Sequence, residues 1–129
     1  MLDKNTNILV VDENNDLLDT FSLILKKRGY NVETASGKSS AMRKFDKCNF
    51  DVILMDAVTQ GTNNVETIQR IKQTAPGTKV ILMSSLHDES ALRSALLEQV
   101  FETVHKPVDI GQLIALIKEA VKDNNVDRK

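Results

Sequence analysis

The sequence alternates short apolar runs with longer amphipathic stretches. Five runs of four or five residues have the length and composition of strands, and stripes with a helical period lie between and after them. Parallel strands need a crossover connection, so this alternation is typical of a parallel sheet covered by helices on both faces. The predicted strands are residues 8–11, 31–34, 51–55, 79–83 and 101–104.

Stripes and end signals predict where the helices lie. Gly29 is expected to end the first helix, because glycine readily adopts the left-handed backbone that follows helix ends. Asn63 with Glu66 resembles a capping box at the start of the third helix. Asp109 with Gln112 resembles another at the start of the last helix. The apolar stripes are Leu17, Leu18, Phe21, Ile24 and Leu25; Ala41, Met42, Phe45 and Cys48; Val65, Ile68 and Ile71; Leu92, Ala95 and Leu96; and Leu113, Leu116, Ile117, Ala120 and Val121.

Length and charge narrow the class of protein. A chain of 129 residues, 41% of them apolar, fits one domain with a single core, which we place at about residues 8–121, before a polar tail at 122–129. The 17 Lys and Arg residues nearly balance the 18 Asp and Glu residues, and the formal charge is -1. This balance argues against direct binding of nucleic acid or an anionic membrane as the main role.

The remaining composition signals indicate a cytoplasmic protein. The longest apolar run, residues 113–117, is too short to cross a membrane, and residues 1–7 are unlike a secretory signal peptide. Cys48 is the single cysteine, so no disulfide can form within the chain. Its helical spacing from Phe45 predicts a buried thiol.

Polar and charged side chains follow the predicted strands at their carboxyl ends, the edge at which doubly wound sheets bind ligands. Asp12 and Glu13 follow the first strand, and Asp56 follows the third. Ser84 follows the fourth strand, and Lys106 lies just beyond the fifth. The sequence therefore predicts that three carboxylates, a hydroxyl group and an ammonium group gather at one edge of the sheet.

The charges at this edge suit a divalent cation. Three carboxylates sum to -3 and Lys106 returns +1, which leaves -2. Oxygen ligands favour Mg²⁺ or Mn²⁺ over zinc or copper. With the cation and Lys106 neutralising phosphoryl oxygens, one carboxylate can act as nucleophile in phosphoryl transfer. Asp56 is the candidate nucleophile because it ends a central strand alone, whereas Asp12 and Glu13 would hold the metal.

These segments resemble the receiver domains of response regulators, the phosphoacceptors of two-component signalling. Residues 8–14 resemble the opening strand with its acidic pair, residues 51–56 the phosphoacceptor strand, and residues 80–85 the strand that ends in the switch hydroxyl. Residues 105–107 contain the Lys-Pro pair, whose peptide bond is usually cis in the family. The resemblance runs from Ile8 to about Val121. It implies a flavodoxin-like α/β fold, a doubly wound five-stranded parallel sheet in the order 2-1-3-4-5 with five flanking helices.

The resemblance also implies a role for each site residue. Asp56 would accept the phosphoryl group, Ser84 would donate a hydrogen bond to it, and Lys106 would pair with it. The donor would be a histidine kinase or a phosphotransfer protein, and phosphorylation would change the affinity for a downstream protein partner or output domain. Such a protein is a signalling domain rather than an enzyme, and it catalyses only its own phosphorylation and dephosphorylation. The implied ligands of Mg²⁺ are Asp12, Glu13, Asp56 and the backbone carbonyl of Val58.

Four positions depart from the family pattern. Gln60 stands where proline is usual, and Asn64 and Gln99 stand where glycine is usual. Thr103 occupies the place of the switch aromatic on the fifth strand, and Phe101, two residues earlier, is expected on the same side as a substitute. These departures leave open a degenerate receiver, which would dock a partner without being phosphorylated.

Two other functions fit the residues less well. An aspartyl-nucleophile phosphatase would share Asp56 and Lys106, but it needs a second acid two residues after the nucleophile, where this chain has Val58. A flavodoxin-like carrier would have a hydroxyl-rich phosphate loop after the first strand. Asp12 and Glu13 lie there instead and would repel a phosphate.

Overall fold

The computed structural model describes residues 6–59, 61–85 and 100–127, which form a parallel sheet flanked by helices. The strands are β1 (Asn7–Val11), β2 (Asn31–Ala35), β3 (Val52–Asp56), β4 (Lys79–Ser84) and β5 (Glu102–His105). The helices are α1 (Asn15–Lys27), α2 (Lys38–Lys47), α3 (Val65–Thr74) and a C-terminal helix (Ile110–Asp127). A short hairpin, Val58–Thr59 paired with Thr62–Asn63, lies between β3 and α3.

The predicted fold class is confirmed. The sheet has the order β2-β1-β3-β4-β5 with all neighbours parallel, and each predicted strand is present with ends that differ by at most one residue. The fourth predicted helix, with its stripe of Leu92, Ala95 and Leu96, lies outside the described residues, as do Gln60 and Gln99. The C-terminal helix extends to Asp127, into the segment predicted as a tail. Within the described ranges, no helix has the length and apolar character needed to cross a membrane.

The sheet divides the predicted single core into two hydrophobic cores, one on each face, because successive residues of a strand point to opposite faces. In β1, Ile8 and Val10 contribute to the core under α1 and the C-terminal helix, whereas Leu9 and Val11 contribute to the core under α2 and α3. The central strands β1, β3 and β4 are buried almost throughout, which explains their continuous apolar sequences. In the edge strand β2, exposed Asn31 and Glu33 flank buried Val32, and the strand ends with half-buried Thr34 and buried Ala35.

Two predictions about single side chains are wrong. Cys48 is exposed because α2 ends at Lys47, and the extended backbone of Cys48 (φ -132, ψ 151) takes it out of the helical stripe. Phe101 packs against the core under α1. Thr103 pairs with Leu82, which belongs to the opposite core, and paired residues on neighbouring strands point to the same face. Phe101 therefore does not lie on the same side of the sheet as Thr103.

Polar side chains cap the starts of α1 and the C-terminal helix, whereas α2 and α3 begin without a side-chain capping bond. Asp109 Oδ1 accepts hydrogen bonds from the N–H groups of Gly111 and Gln112 at 2.9 and 3.4 Å, which confirms the predicted cap. The box predicted at Asn63 is wrong, because α3 begins at Val65 and Asn64 is the residue that precedes it. The side chain of Asn64 makes no capping hydrogen bond.

The end of α1 requires a left-handed residue. Gly29 has φ 96, its N–H donates to the Lys26 carbonyl at 3.0 Å, and the Tyr30 N–H donates to the Leu25 carbonyl at 3.3 Å. This pair of bonds is the Schellman motif, which satisfies carbonyls of the last helical turn. Tyr30, the residue after this turn, is buried. Strand β2, at the edge of the sheet, begins at the next residue.

We predict that Gly29→Ala lowers the free energy of unfolding by about 1 kcal/mol, because a Cβ is unfavourable in the left-handed region. Gly77→Ala is the matched control, since an added Cβ there meets nothing within 4 Å and its φ is not positive. The control should be neutral or slightly stabilising, because alanine restricts the unfolded chain. Urea unfolding of the three proteins measures both effects. Equal losses in the two variants would contradict the left-handed assignment.

Candidate functional site

The carboxyl ends of the strands bring Asp12, Asp56 and Lys106 into direct contact. The Lys106 Nζ atom lies 2.6 Å from Asp12 Oδ2 and 3.2 Å from Asp56 Oδ2. In the parallel register Val11 pairs with Met55, so the residues that follow them, Asp12 and Asp56, leave adjacent strands side by side. Three of the predicted site residues thus share one polar cluster.

The Asp12 carboxylate is fixed on both of its oxygens. The backbone N–H of Asp12 donates a hydrogen bond to the Ala35 carbonyl at 3.1 Å, which prolongs the pairing of β1 with β2. Oδ1 accepts from the Asn14 N–H at 2.9 Å, and Oδ2 accepts from Lys106. Asp12 is only 1% exposed, so this anion depends on these bonds rather than on water.

Asp56 and Ser84 lie side by side because β3 pairs with β4. Asp56 pairs with Met83, and the Ala57 N–H donates to the Met83 carbonyl at 2.8 Å. Ser84 is therefore one step beyond the partner of Asp56, at the end of the neighbouring strand. Asp56 is 7% exposed and Ser84 is 5% exposed, so both lie just under the surface of this edge.

Lys106 reaches the carboxylates from the end of β5. Its N–H donates to the Ser84 carbonyl at 2.8 Å, which extends the pairing of β5 with β4 by one residue. The Lys106–Pro107 peptide bond is cis, as the resemblance implies. The backbone of Lys106 is therefore anchored to the strand that carries the candidate switch hydroxyl.

Glu13 follows Asp12 directly in the chain but differs from it in exposure. Its side chain is exposed, whereas Asp12 beside it is buried. Across the described part of the chain, no three acidic, His or Cys side chains converge closely enough to hold a metal ion. The side-chain oxygens gathered here are those of Asp12 and Asp56, both in contact with Lys106.

The short hairpin after Asp56 determines how the Val58 backbone faces the site. The Asn64 N–H donates to the Ala57 carbonyl at 3.0 Å. Hydrogen-bonded and non-hydrogen-bonded pairs alternate in antiparallel pairing, so Val58 and Asn63 form a non-hydrogen-bonded pair. The Val58 backbone N–H lies close enough to the Asp56 carboxyl group to lower the pKa of that group. The pairing of the hairpin leaves the Val58 carbonyl free of a bond to the opposite strand.

Burial and charge shift the pKa values of the cluster. Burial, followed by the neighbouring Asp12 carboxylate, raises the pKa of Asp56, and Lys106 and the Val58 N–H lower it only in part. Burial lowers the pKa of Lys106, but its hydrogen bond to Asp12 and the charges of both carboxylates outweigh this effect, and the pKa is raised. One ammonium group thus neutralises two carboxylates incompletely, and an added cation would relieve the repulsion.

Sequence reasoning missed the buried side chain of Asn64. Its Nδ2 donates to the Asp56 carbonyl at 2.6 Å and to Thr59 Oγ1 at 2.8 Å. The signal in the sequence is an asparagine just before a helix, which more commonly predicts a cap. Only the positions of β3 and the hairpin show that its amide binds the Asp56 carbonyl and Thr59 instead.

Comparison with known proteins places these features in a family. Residues 8–118 match the response regulator receiver domain family. A response regulator receiver domain protein from Clostridium thermocellum is 28% identical, with a TM-score of 0.86 and coverage of 94% of this chain and 98% of that one. The response regulator protein TrrA from Thermotoga maritima, solved in complex with Mg²⁺ and BeF, is 26% identical, with a TM-score of 0.76 and coverage of 89% and 98%.

A curated relative is much longer than this chain. The DNA-binding transcriptional regulator NtrC of Azospirillum brasilense is 27% identical over 117 residues, which are 91% of this chain and 24% of that protein. This chain therefore spans about a quarter of that relative's length. The family match extends from β1 into the C-terminal helix and so includes all five strands and the ends that carry Asp12, Asp56 and Lys106. The chain belongs to the response regulator receiver domain family.

Proposed function

We propose that this receiver accepts a phosphoryl group on Asp56 in a Mg²⁺-dependent reaction and thereby changes its affinity for a protein partner. The observation that carries the proposal is the simultaneous contact of Lys106 Nζ with Asp12 and Asp56 at the strand ends. Lys106, the cation that would pair with phosphoryl oxygens, thus contacts both the candidate nucleophile Asp56 and the candidate metal ligand Asp12. This arrangement favours phosphorylation over docking alone.

The oxygen atoms at this edge fit Mg²⁺. Carboxylates and backbone carbonyls are the ligands that this cation takes in proteins, together with several waters. Asp12, Asp56 and the Val58 carbonyl would hold the ion, and Glu13 would complete the ligands directly or through a water. Mn²⁺ would be accepted in its place. When bound, the cation would neutralise negative charge that develops on the phosphoryl oxygens.

Three side chains of the site, those of Asp56, Lys106 and Ser84, would act on the phosphoryl group. A carboxylate oxygen of Asp56 attacks phosphorus; the new O–P bond forms as the bond from phosphorus to the donor breaks, and the leaving group keeps that electron pair. Lys106, whose ammonium lies 3.2 Å from Asp56 Oδ2, would pair with an oxygen of the incoming group. Ser84, at the neighbouring strand end, would donate a hydrogen bond from its hydroxyl group to a phosphoryl oxygen.

The phosphoryl donor would be a protein phosphohistidine, carried by a histidine kinase or a phosphotransfer protein. A downstream protein or an output domain would detect the phosphorylated state. The near-neutral charge argues against direct nucleic-acid binding by this chain, and the single cysteine suits a cytoplasmic location. The receiver would form one domain with its core at residues 8–121.

We expect Asp56→Asn to abolish phosphorylation, because an amide oxygen is a far weaker nucleophile than a carboxylate. The proteins are incubated with Mg²⁺ and acetyl phosphate, and intact mass is measured. Asp19→Asn, an exposed acid on α1, is the control and should be phosphorylated as the parent is. Undiminished single phosphorylation of Asp56→Asn would show that the acceptor lies elsewhere. A parent that binds Mg²⁺ but takes no phosphoryl group would be a docking module.

We expect Mg²⁺ to bind with a dissociation constant of about 0.1 to 1 mM, or roughly 4 to 5.5 kcal/mol, because few protein ligands and several waters hold it. Asp12→Ala should weaken binding by about tenfold or more, since Asp12 is buried within the cluster. Glu13→Ala should have a smaller effect, since Glu13 is exposed. Titration calorimetry measures all three constants. Unchanged affinity in both variants would make the acidic pair structural.

Without metal, Asp56→Asn should be more stable than the parent at neutral pH. The folded state raises the pKa of Asp56, so its favourable contribution is fully present below the unfolded pKa and is lost as pH rises through the folded pKa. The amide does not titrate, so the advantage of the variant should be small in acid, grow with pH and shrink when Mg²⁺ is added. Thermal melts in EDTA from about pH 4 to 8 measure this difference. An advantage that falls with rising pH would contradict the assigned shift.

A further inference from the structure

Asn64 occupies a helix-capping place but does not cap its helix. An asparagine directly before a helix normally accepts a hydrogen bond from an N–H of the first turn. Asn14 does this for α1, accepting from Asp16 and Leu17 at 3.0 and 3.2 Å. Asn64 makes no such bond at the start of α3. Its side chain has turned away from the helix, so its role lies elsewhere.

The amide of Asn64 binds the segment that carries the phosphoacceptor. Nδ2 donates to the Asp56 carbonyl at 2.6 Å and to Thr59 Oγ1 at 2.8 Å, and the backbone N–H donates to the Ala57 carbonyl at 3.0 Å. One residue is thus bonded to Asp56, Ala57 and Thr59. Val58 lies between these attachment points. Its backbone N–H faces the Asp56 carboxyl group and lowers the pKa of that group. The three bonds of Asn64, which we call the clamp, therefore hold a peptide that is part of the site.

The orientation of this amide follows from the chemistry of its partner. The Asp56 carbonyl oxygen can only accept, so the atom facing it at 2.6 Å must be the nitrogen. Asn64 is 0% exposed, and its Oδ1 has no hydrogen-bond partner among the described residues. An unpartnered buried oxygen destabilises the folded state. Asn64 is therefore poorly explained as a residue that serves stability alone.

Neither a proline nor packing at Gly61 restrains the tip of the hairpin. The two prolines of the chain are Pro76 and Pro107, so no proline stiffens residues 57–64. Gly61, with φ 76, lies at the turn of the hairpin, and a Cβ added there would meet nothing within 4 Å. The turn is thus not held by packing at Gly61. The anchoring bonds are at the buried base of the hairpin, where Asn64 and Thr59 are both 0% exposed.

We propose that Asn64 is a positioning residue for phosphoryl transfer: its side-chain amide holds the Asp56 carbonyl and Thr59 so that the Val58 peptide faces the acceptor carboxylate. The proposal rests on the proposed function, because it assigns Asn64 a task in the reaction at Asp56. Loss of the clamp would let the Val58 carbonyl and N–H drift from their places. Reactions that depend on such alignment are sensitive to displacements of an ångström or less.

Asn64→Ala tests the clamp by removing both side-chain bonds. We expect weaker Mg²⁺ binding and, at saturating Mg²⁺, phosphorylation by acetyl phosphate slowed on the order of tenfold. Thr59→Val, which is similar in shape, removes one acceptor and keeps the bond to Asp56, so its effects should be smaller and in the same direction. In metal-free ¹⁵N spectra, the Val58 and Asp56 amide signals should shift in both variants.

Thr78→Val is the matched control for stability. Thr78 is buried at the other end of the sheet, and its Oγ1 donates to the Phe50 carbonyl at 2.7 Å. This control also loses a buried side-chain bond to a backbone carbonyl, so its melting temperature should fall. Its Mg²⁺ affinity, phosphorylation rate and Val58 amide signal should match those of the parent.

The outcomes separate this inference from the function on which it rests. If the parent is phosphorylated on Asp56 and Asn64→Ala behaves as Thr78→Val does, Asn64 is structural and the inference is wrong. If Asn64→Ala does not fold, Thr59→Val decides by the same comparison with Thr78→Val. If the parent takes no phosphoryl group on Asp56, the proposed function fails first, and the positioning role fails with it.

Discussion

The contact of Lys106 with the Asp12 and Asp56 carboxylates is the interaction around which this domain is organised. It joins the ends of β1 and β3 to the residue after β5, with sequence separations of 94 and 50 residues. No local preference can create such a contact. It forms only when the sheet has the right order and register, so any shift in strand pairing would separate the charges and leave them buried without partners.

The sheet makes this contact possible by ordering the strand ends. Two hydrophobic cores, one on each face, hold β1, β3 and β4 as the buried centre. Parallel pairing then places every carboxyl end at the same edge, and the backbone bonds of Asp12 to Ala35 and of Lys106 to Ser84 extend the pairing into the site. The polar cluster therefore continues the hydrogen-bonded pairing of the strands, and the two apolar cores stabilise the sheet that carries it.

This dependence explains what could be predicted from the sequence. Apolar runs determine the strands, and residues that follow parallel strands must share an edge. The sequence alone therefore places Asp12, Asp56, Ser84 and Lys106 at one edge of the sheet. The resemblance to receiver domains supplied the strand order. Cys48 and Phe101 were misplaced because a periodic pattern does not show where a helix or a strand ends. Glu13 follows Asp12 directly, yet its exposure depends on how the chain turns from β1 into α1.

The role of Asn64 shows a different limit of sequence reasoning. Its neighbours in sequence favour a cap, and only tertiary packing presents an acceptor-only carbonyl to its amide. The charges of Asp12 and Lys106 act on the Asp56 carboxylate. The neutral amide of Asn64 instead binds the backbone carbonyl of Asp56 and leaves the net charge of the site unchanged. The electrostatics of the acceptor and its alignment are thus carried by separate residues. Either can be changed while the other is kept, because the bonds of Asn64 involve neither Lys106 nor Asp12.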